Sequence, residues 1–151
     1  MNDDKKMSEI AYIVIFGVLA IFVPRALLPF LLNTEVPLAV IESGSMEPTI
    51  HVGDLVIIKG TSPREIKTGD IIVFRARFLD GSLTVHRVIQ VVKIGNKIFY
   101  RTKGDANIFP DPAIYNGIGS VSESDIVGIV VARIPLVGYI TLVFTKLLPH
   151  I

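Results

Sequence analysis

Cysteine is absent from this chain of 151 residues. That removes any disulfide framework, any thiolate nucleophile and any thiolate metal site, and it leaves the redox compartment unreadable. Charge is also scarce, at 19% of residues with a net charge of +1. The 15 basic residues form no dense cluster, so no field gathers nucleic acid. Histidine occurs three times, at His51, His86 and His150. They are far apart and no HExxH is present, so no metal and no cofactor is expected. The stretch "GTSPREIKTGD" (Gly60–Asp70) lacks the GK[ST] ending of a phosphate-binding loop and precedes a strand run, not a helix. Repeats, low-complexity tracts and a helical period in the middle of the chain are missing too.

What the chain does have is apolar sequence at its ends. Half of the residues are apolar and the mean hydropathy is +0.58. Ile10–Val23, "IAYIVIFGVLAIFV", carries no charge; after Pro24 and Arg25 comes "ALLPFLL", ending at Leu32. As a helix, residues 10–32 span about 34 Å, enough for a bilayer core of about 30 Å. Arg25 sits near the far end, where its stem reaches the interface. Pro24 and Pro29 are tolerated near a helix end or kink. A cleaved leader is the alternative, but no A-x-A-like site follows and the apolar run resumes. The expectation is an anchor over 10–32, with residues 1–9 cytoplasmic because of Lys5 and Lys6, and the rest of the chain on the outer face. The last apolar stretch, "IPLVGYITLVFTKLL" within residues 134–151, is short for a span and is broken by Lys146. A packing helix, an interfacial helix and a second span all remain open for it.

Residues 36–133 read as β structure. Residues 54–59, 70–76, 82–92, 97–102 and 125–134 are rich in β-branched and aromatic side chains. Val52-Gly53, Thr68-Gly69, Asp80-Gly81 and Gly95-Asn96 are turn signals between them. The fold class expected is mainly β: one compact antiparallel domain on an N-terminal transmembrane helix, with a short apolar C-terminal helix.

Three stretches carry residues able to do chemistry. "IESGSMEPTI" (Ile41–Ile50) sets Ser43 and Ser45 about a glycine; each serine could be a linker, a cap or a nucleophile. A nucleophilic hydroxyl needs a base and a group to orient that base. His86 lies within "LTVHRVIQV", where alternation puts Thr84, His86 and Val88 on one face. Alone, it reads equally as a core histidine with a hydrogen-bond partner. Asp105 and Asp111 follow a strand in "RTKGDANIFPDPAIYNG"; both suit turns, and loops after strands also carry catalytic groups. Met46 fills a core or faces the bilayer interface.

In this order, the stretches resemble the type I signal peptidases, serine proteases of family S26 that remove signal peptides from exported preproteins. "SGSMEPTI" is similar to the serine box, "HVGDLVIIK" and "TGDIIVFR" to the strand box, "VHRVIQV" to the general-base box and "TKGDANIFPDP" to the acidic box. Histidine at 86, where most bacterial members have lysine, resembles the endoplasmic-reticulum, archaeal and some spore-forming Gram-positive enzymes. The resemblance implies a membrane-bound signal-peptide endopeptidase working through an acyl-enzyme. It makes Ser45 the nucleophile, His86 the general base and Asp111 the third member of the triad, with Asp105 as support or an alternative His86 partner. The resemblance also implies an oxyanion hole formed by the Ser45 amide with help from the Ser43 hydroxyl, as in bacterial members. "GDAN" departs from the commoner "GDNN" at Ala106. Implied partners are preprotein signal peptides, the lipid bilayer and the Sec translocation machinery. The implied place is the cell membrane, with the catalytic domain, residues 36–133, on the extracytoplasmic side. Substrates with small residues at the first and third positions before the cut would lie along a strand edge. Two other readings compete. A membrane-anchored, non-catalytic peptide-binding β module explains the stalk and strands but not the order of these stretches. A self-cleaving repressor would carry a lysine base and a helix-turn-helix, and neither is found.

Overall fold

The computed structural model describes residues 3–136 and residue 138. Helix α1 runs Asp3–Leu31 without a break, through Pro24 and Pro29. Its segment Ser8–Leu31 has a mean hydropathy of 2.3, and none of its apolar window is buried among the described residues. Ile13, Phe16, Phe22 and Phe30 all stand exposed. A helix apolar on every side and uncovered by protein is long and greasy enough to cross a bilayer. It ends at Asn33, whose φ of 49° is left-handed, a usual helix stop. The stop is fastened to the domain. Leu32 O accepts from Gly60 N at 2.8 Å, and Thr34 Oγ1 donates to Val127 O at 3.1 Å. A Cβ on Gly60 would lie 1.7 Å from Asn33 O, so only glycine permits this approach.

Seven strands follow: β1 (Leu38–Val40), β2 (Leu55–Lys59), β3 (Ile71–Ala76), β4 (Ser82–Ile94), β5 (Lys97–Lys103), β6 (Val121–Ser122) and β7 (Ile126–Ile134). They form one sheet of order β1-β2-β7-β3-β4-β5-β6, antiparallel at every pairing. The five longer strands fall where their residue types place them. Asp80 (φ 53°), Gly81 (φ 78°) and Gly95 (φ 58°) supply the left-handed turns that the strand-to-strand reversals need. The apolar segment expected over 134–151 lies outside the described residues from 137 onward, apart from Gly138, and so does His150.

Two cores sandwich the sheet. On one face Phe74, Val88, Tyr100 and Ile72 pack with Ile66, Ile98 and Val121. On the other Val56, Ile58 and Val73 pack with Ile41, Met46 and Ile50. Met46 is 1% exposed, so of its two expected roles it takes core packing. Tyr100 donates to Pro63 O at 2.6 Å; burial, helped by nearby Glu123, pushes its pKa up to about 12.

Two buried carboxylates clamp the edges. Asp54 accepts from His51 N, Arg133 and Leu136 N at 3.1, 2.7 and 3.2 Å. Asp125 accepts from Arg77 at 2.7 Å, from Ser122 N at 3.0 Å and from the Tyr115 hydroxyl. Burial alone would raise both carboxyl pKa values, but these donors outweigh it and hold both below 3.8. A depressed folded pKa gives stability that is complete above the unfolded value and is lost as pH falls through the folded one. The melting temperature should therefore hold steady down to about pH 4 and fall as the pH drops further below it. Asp54→Asn should flatten part of that fall, which thermal melts across the range would show.

Candidate active site

Ser45 sits in the 3-10 turn Gly44–Met46 just after β1. Buried Met46 pegs the turn to the core, and Ile50 N donates back to Met46 O at 2.9 Å. The Ser45 carbonyl is held as well, accepting from Ala106 N at 2.9 Å. A Cβ on Gly104 would lie 2.6 Å from that carbonyl and 2.8 Å from Asn107 Nδ2. Glycine is thus what lets the 104–107 loop close on the serine.

His86 comes from the middle of β4, buried and edge-on to Phe74 at 6.3 Å between ring centres. Its Nε2 is 3.2 Å from Ser45 Oγ, and its Nδ1 is 2.7 Å from Asp111 Oδ2. An ionised carboxylate only accepts, so Nδ1 carries the proton and Nε2 turns its lone pair to the serine hydroxyl. Asp111 is itself 7% exposed and fixed on three sides. Its N–H donates to Thr102 O at 2.9 Å, Thr102 Oγ1 donates to its Oδ2 at 2.6 Å, and Ser120 Oγ donates to its carbonyl at 2.9 Å. Thr102 and Ser120 were not singled out in the sequence. The available signal for Thr102 was alternation, which places it with Ile98 and Tyr100 on the buried face of β5.

Asp105 is six residues from Asp111 but meets a different partner. Arg87 grips it with Nε at 2.8 Å and an Nη at 2.6 Å. Hydrogen bonding from Arg87 is the main reason its pKa lies below 3.8. Arg87 also donates to Gly69 O at 2.8 Å and to Thr49 at 3.3 Å. The structure therefore brings Ser45, His86 and Asp111 into line and sets Asp105 beside them, as the brace of the loop that holds Ser45. Ser43 Oγ lies 3.3 Å from Ser45 Oγ. His51 lies by Arg133 and Asp54 instead, its ring 3.2 Å from the Arg133 guanidinium.

Ser45 and His86 open onto a cleft of about 740 Å³, with Asp111 buried behind the imidazole. One wall is β1 and the residues after it, Ala39–Ser43; the other is the first half of β4, Ser82–His86. Among the described residues, both walls are free strand edges. β1 pairs with β2 only, while β5 joins β4 only from Arg87 onward, so Ser82–His86 is paired on its β3 side alone.

A hydroxyl, an imidazole and a carboxylate hydrogen-bonded in series, beside a groove edged by strands, is the geometry of a serine hydrolase acting on extended chains. The sequence profile described as signal peptidase, peptidase S26, matches residues 9–106, and the chain belongs to that family. It is 36% identical over 118 residues to the signal peptidase complex catalytic subunit SEC11 of Yarrowia lipolytica, covering 76% of this chain and 66% of the relative. It is 37% identical over 115 residues to SEC11C of Homo sapiens, named likewise, covering 75% of this chain and 59% of the relative. The chain thus spans less than two thirds of the length of these curated relatives.

Proposed function

We propose that this chain is a membrane-anchored serine endopeptidase that cuts signal peptides from preproteins. The observation that carries the reading is the Ser45–His86–Asp111 series, at 3.2 and 2.7 Å, opening onto a groove with two free strand edges. An extended peptide adds to such edges through its backbone. His86 takes the proton of Ser45 as Oγ attacks the scissile carbonyl, and Asp111 holds the tautomer and stabilises the imidazolium. The Ser45 N–H, with the Ser43 hydroxyl, donates to the oxyanion. His86 then protonates the leaving amine, and water, activated in the same way, releases the signal peptide from the acyl-enzyme. A non-catalytic binding module has no use for this proton relay.

In this reading residues 10–32 anchor the protein, residues 36–133 form the catalytic domain, and Lys5 and Lys6 favour a cytoplasmic side for residues 1–9. The groove then lies on the extracytoplasmic side, where a substrate held in the same bilayer gains proximity. The relatives are named catalytic subunits of a complex, which supports action beside other subunits, next to the Sec machinery that delivers preproteins. The test is cleavage of a preprotein with an Ala-x-Ala signal by the full chain in detergent. Cutting after the last alanine, lost when either alanine becomes phenylalanine, supports the reading. Intact preprotein across several substrates and lipids overturns it.

A further inference from the structure

Glu42 stands alone in the cleft. Among the described residues it is the one Asp, Glu, Lys or Arg that lines it. The other lining groups are aliphatic, thioether, hydroxyl or amide, His86 apart. Glu42 is exposed, and among the described residues no ion pair or hydrogen bond holds its carboxylate. The arginines that might have neutralised it are engaged elsewhere: Arg75 with Glu35, Arg77 with Asp125, Arg87 with Asp105 and Arg133 with Asp54.

Its position adds direction. The two walls run the same way: Ala39, Ser82 and Leu83 lie toward one end, while Ser43, Ser45 and His86 lie toward the other. Glu42 belongs to the second end, three residues before Ser45. Three residues of extended chain cover about 10 Å, within the combined reach of a glutamate and a lysine or arginine. A second carboxylate flanks the same turn, since the Glu47 carboxyl carbon is 3.6 Å from where a Cβ on Gly44 would be. A charge against apolar walls acts over a longer range than one in open water.

We propose that Glu42 makes the groove charge-selective, favouring substrates with a basic side chain in the residues flanking the scissile bond and disfavouring acidic ones. The proposal rests on the peptidase reading and adds a substrate class to it. An exposed pair attracts modestly and a like pair repels by a similar amount, so lysine and glutamate substrates should differ on the order of tenfold in kcat/KM at low salt. The difference should shrink as salt is added.

The test uses the full chain in detergent and a preprotein series that keeps alanine at the first and third positions before the cut and differs at one other position, the second residue before the cut or one of the three after it, carrying Lys, Gln or Glu. The readout is the Lys-to-Glu ratio of kcat/KM within each enzyme form. For at least one position next to the cut, wild type and Glu42→Asp should show a ratio on the order of ten. Glu42→Gln should bring it near one, and Glu42→Lys should invert it. A ratio unchanged in Glu42→Gln at every position, with the Gln substrate still cut, overturns the proposal and leaves the peptidase reading standing. No cleavage of the Gln substrate by wild type removes both. If Glu42→Lys does not fold, Glu42→Gln and the salt series decide.

Discussion

Ser45→Ala, His86→Ala and the double variant should each lose turnover by a factor on the order of 10⁶, and the double should lose no more than either single. The reason is that the two groups act as one device. Without the imidazole the serine hydroxyl is a weak nucleophile, and without the hydroxyl the imidazole has no proton to take. The variants differ in what they do to the fold. Ser45 is at the cleft surface, so its loss frees only His86 Nε2, which lines the open cleft where water can take the place of the hydroxyl. His86 is 6% exposed and spans Ser45 and Asp111. Its removal leaves the Asp111 carboxylate buried with Thr102 as its remaining side-chain donor, and a buried group short of partners costs stability. Melting curves should show Ser45→Ala unchanged and His86→Ala lowered, so rates are compared at equal folded fraction. Losses that multiply in the double variant would contradict the shared mechanism.

Asp111→Asn should cost about 10⁴ in turnover with little change in fold. The amide keeps the shape but can present its NH₂ to Nδ1. The imidazole proton then moves to Nε2, facing Ser45, where a lone pair is required. Asp105→Asn acts at a distance. It weakens the two-pronged Arg87 grip and loosens the loop whose Ala106 N–H holds the Ser45 carbonyl. Displacement of that kind costs up to about 10², and it should appear in the melting temperature as well as the rate. Kinetics and melts on both variants separate the roles. A larger rate loss at Asp105 than at Asp111 would take Asp111 out of the relay.

Much of this was legible in the sequence, and particular residues show where legibility stopped. The five long strands announce themselves because β-branched runs alternate between glycine turns. β1 and β6 do not, being three and two residues long; they exist because a neighbour's edge offers hydrogen bonds, not because of their own composition. Yet β1 is the strand that walls the groove. The two aspartates could not be told apart by spacing, since both sit in one loop after β5. What separates them is the strand opposite. His86 and Arg87 are neighbours on β4, so their side chains leave opposite faces, and each takes one carboxylate. Only the resemblance to a family gave that assignment beforehand. Thr102 and Ser120 escaped notice because a buried hydroxyl in a strand or loop looks like any other until its acceptor is known.

The central claim is that Ser45 carries the signal peptide as an acyl group. Hydroxylamine competes with water for such an intermediate, so the decisive measurement is the mass of the upstream fragment released as the preprotein is cut in rising hydroxylamine. The account predicts a growing share of fragment ending in a hydroxamate, absent with Ser45→Ala. A fragment ending only in a carboxylate at every concentration, while cleavage proceeds, would mean that water attacks directly and would contradict it.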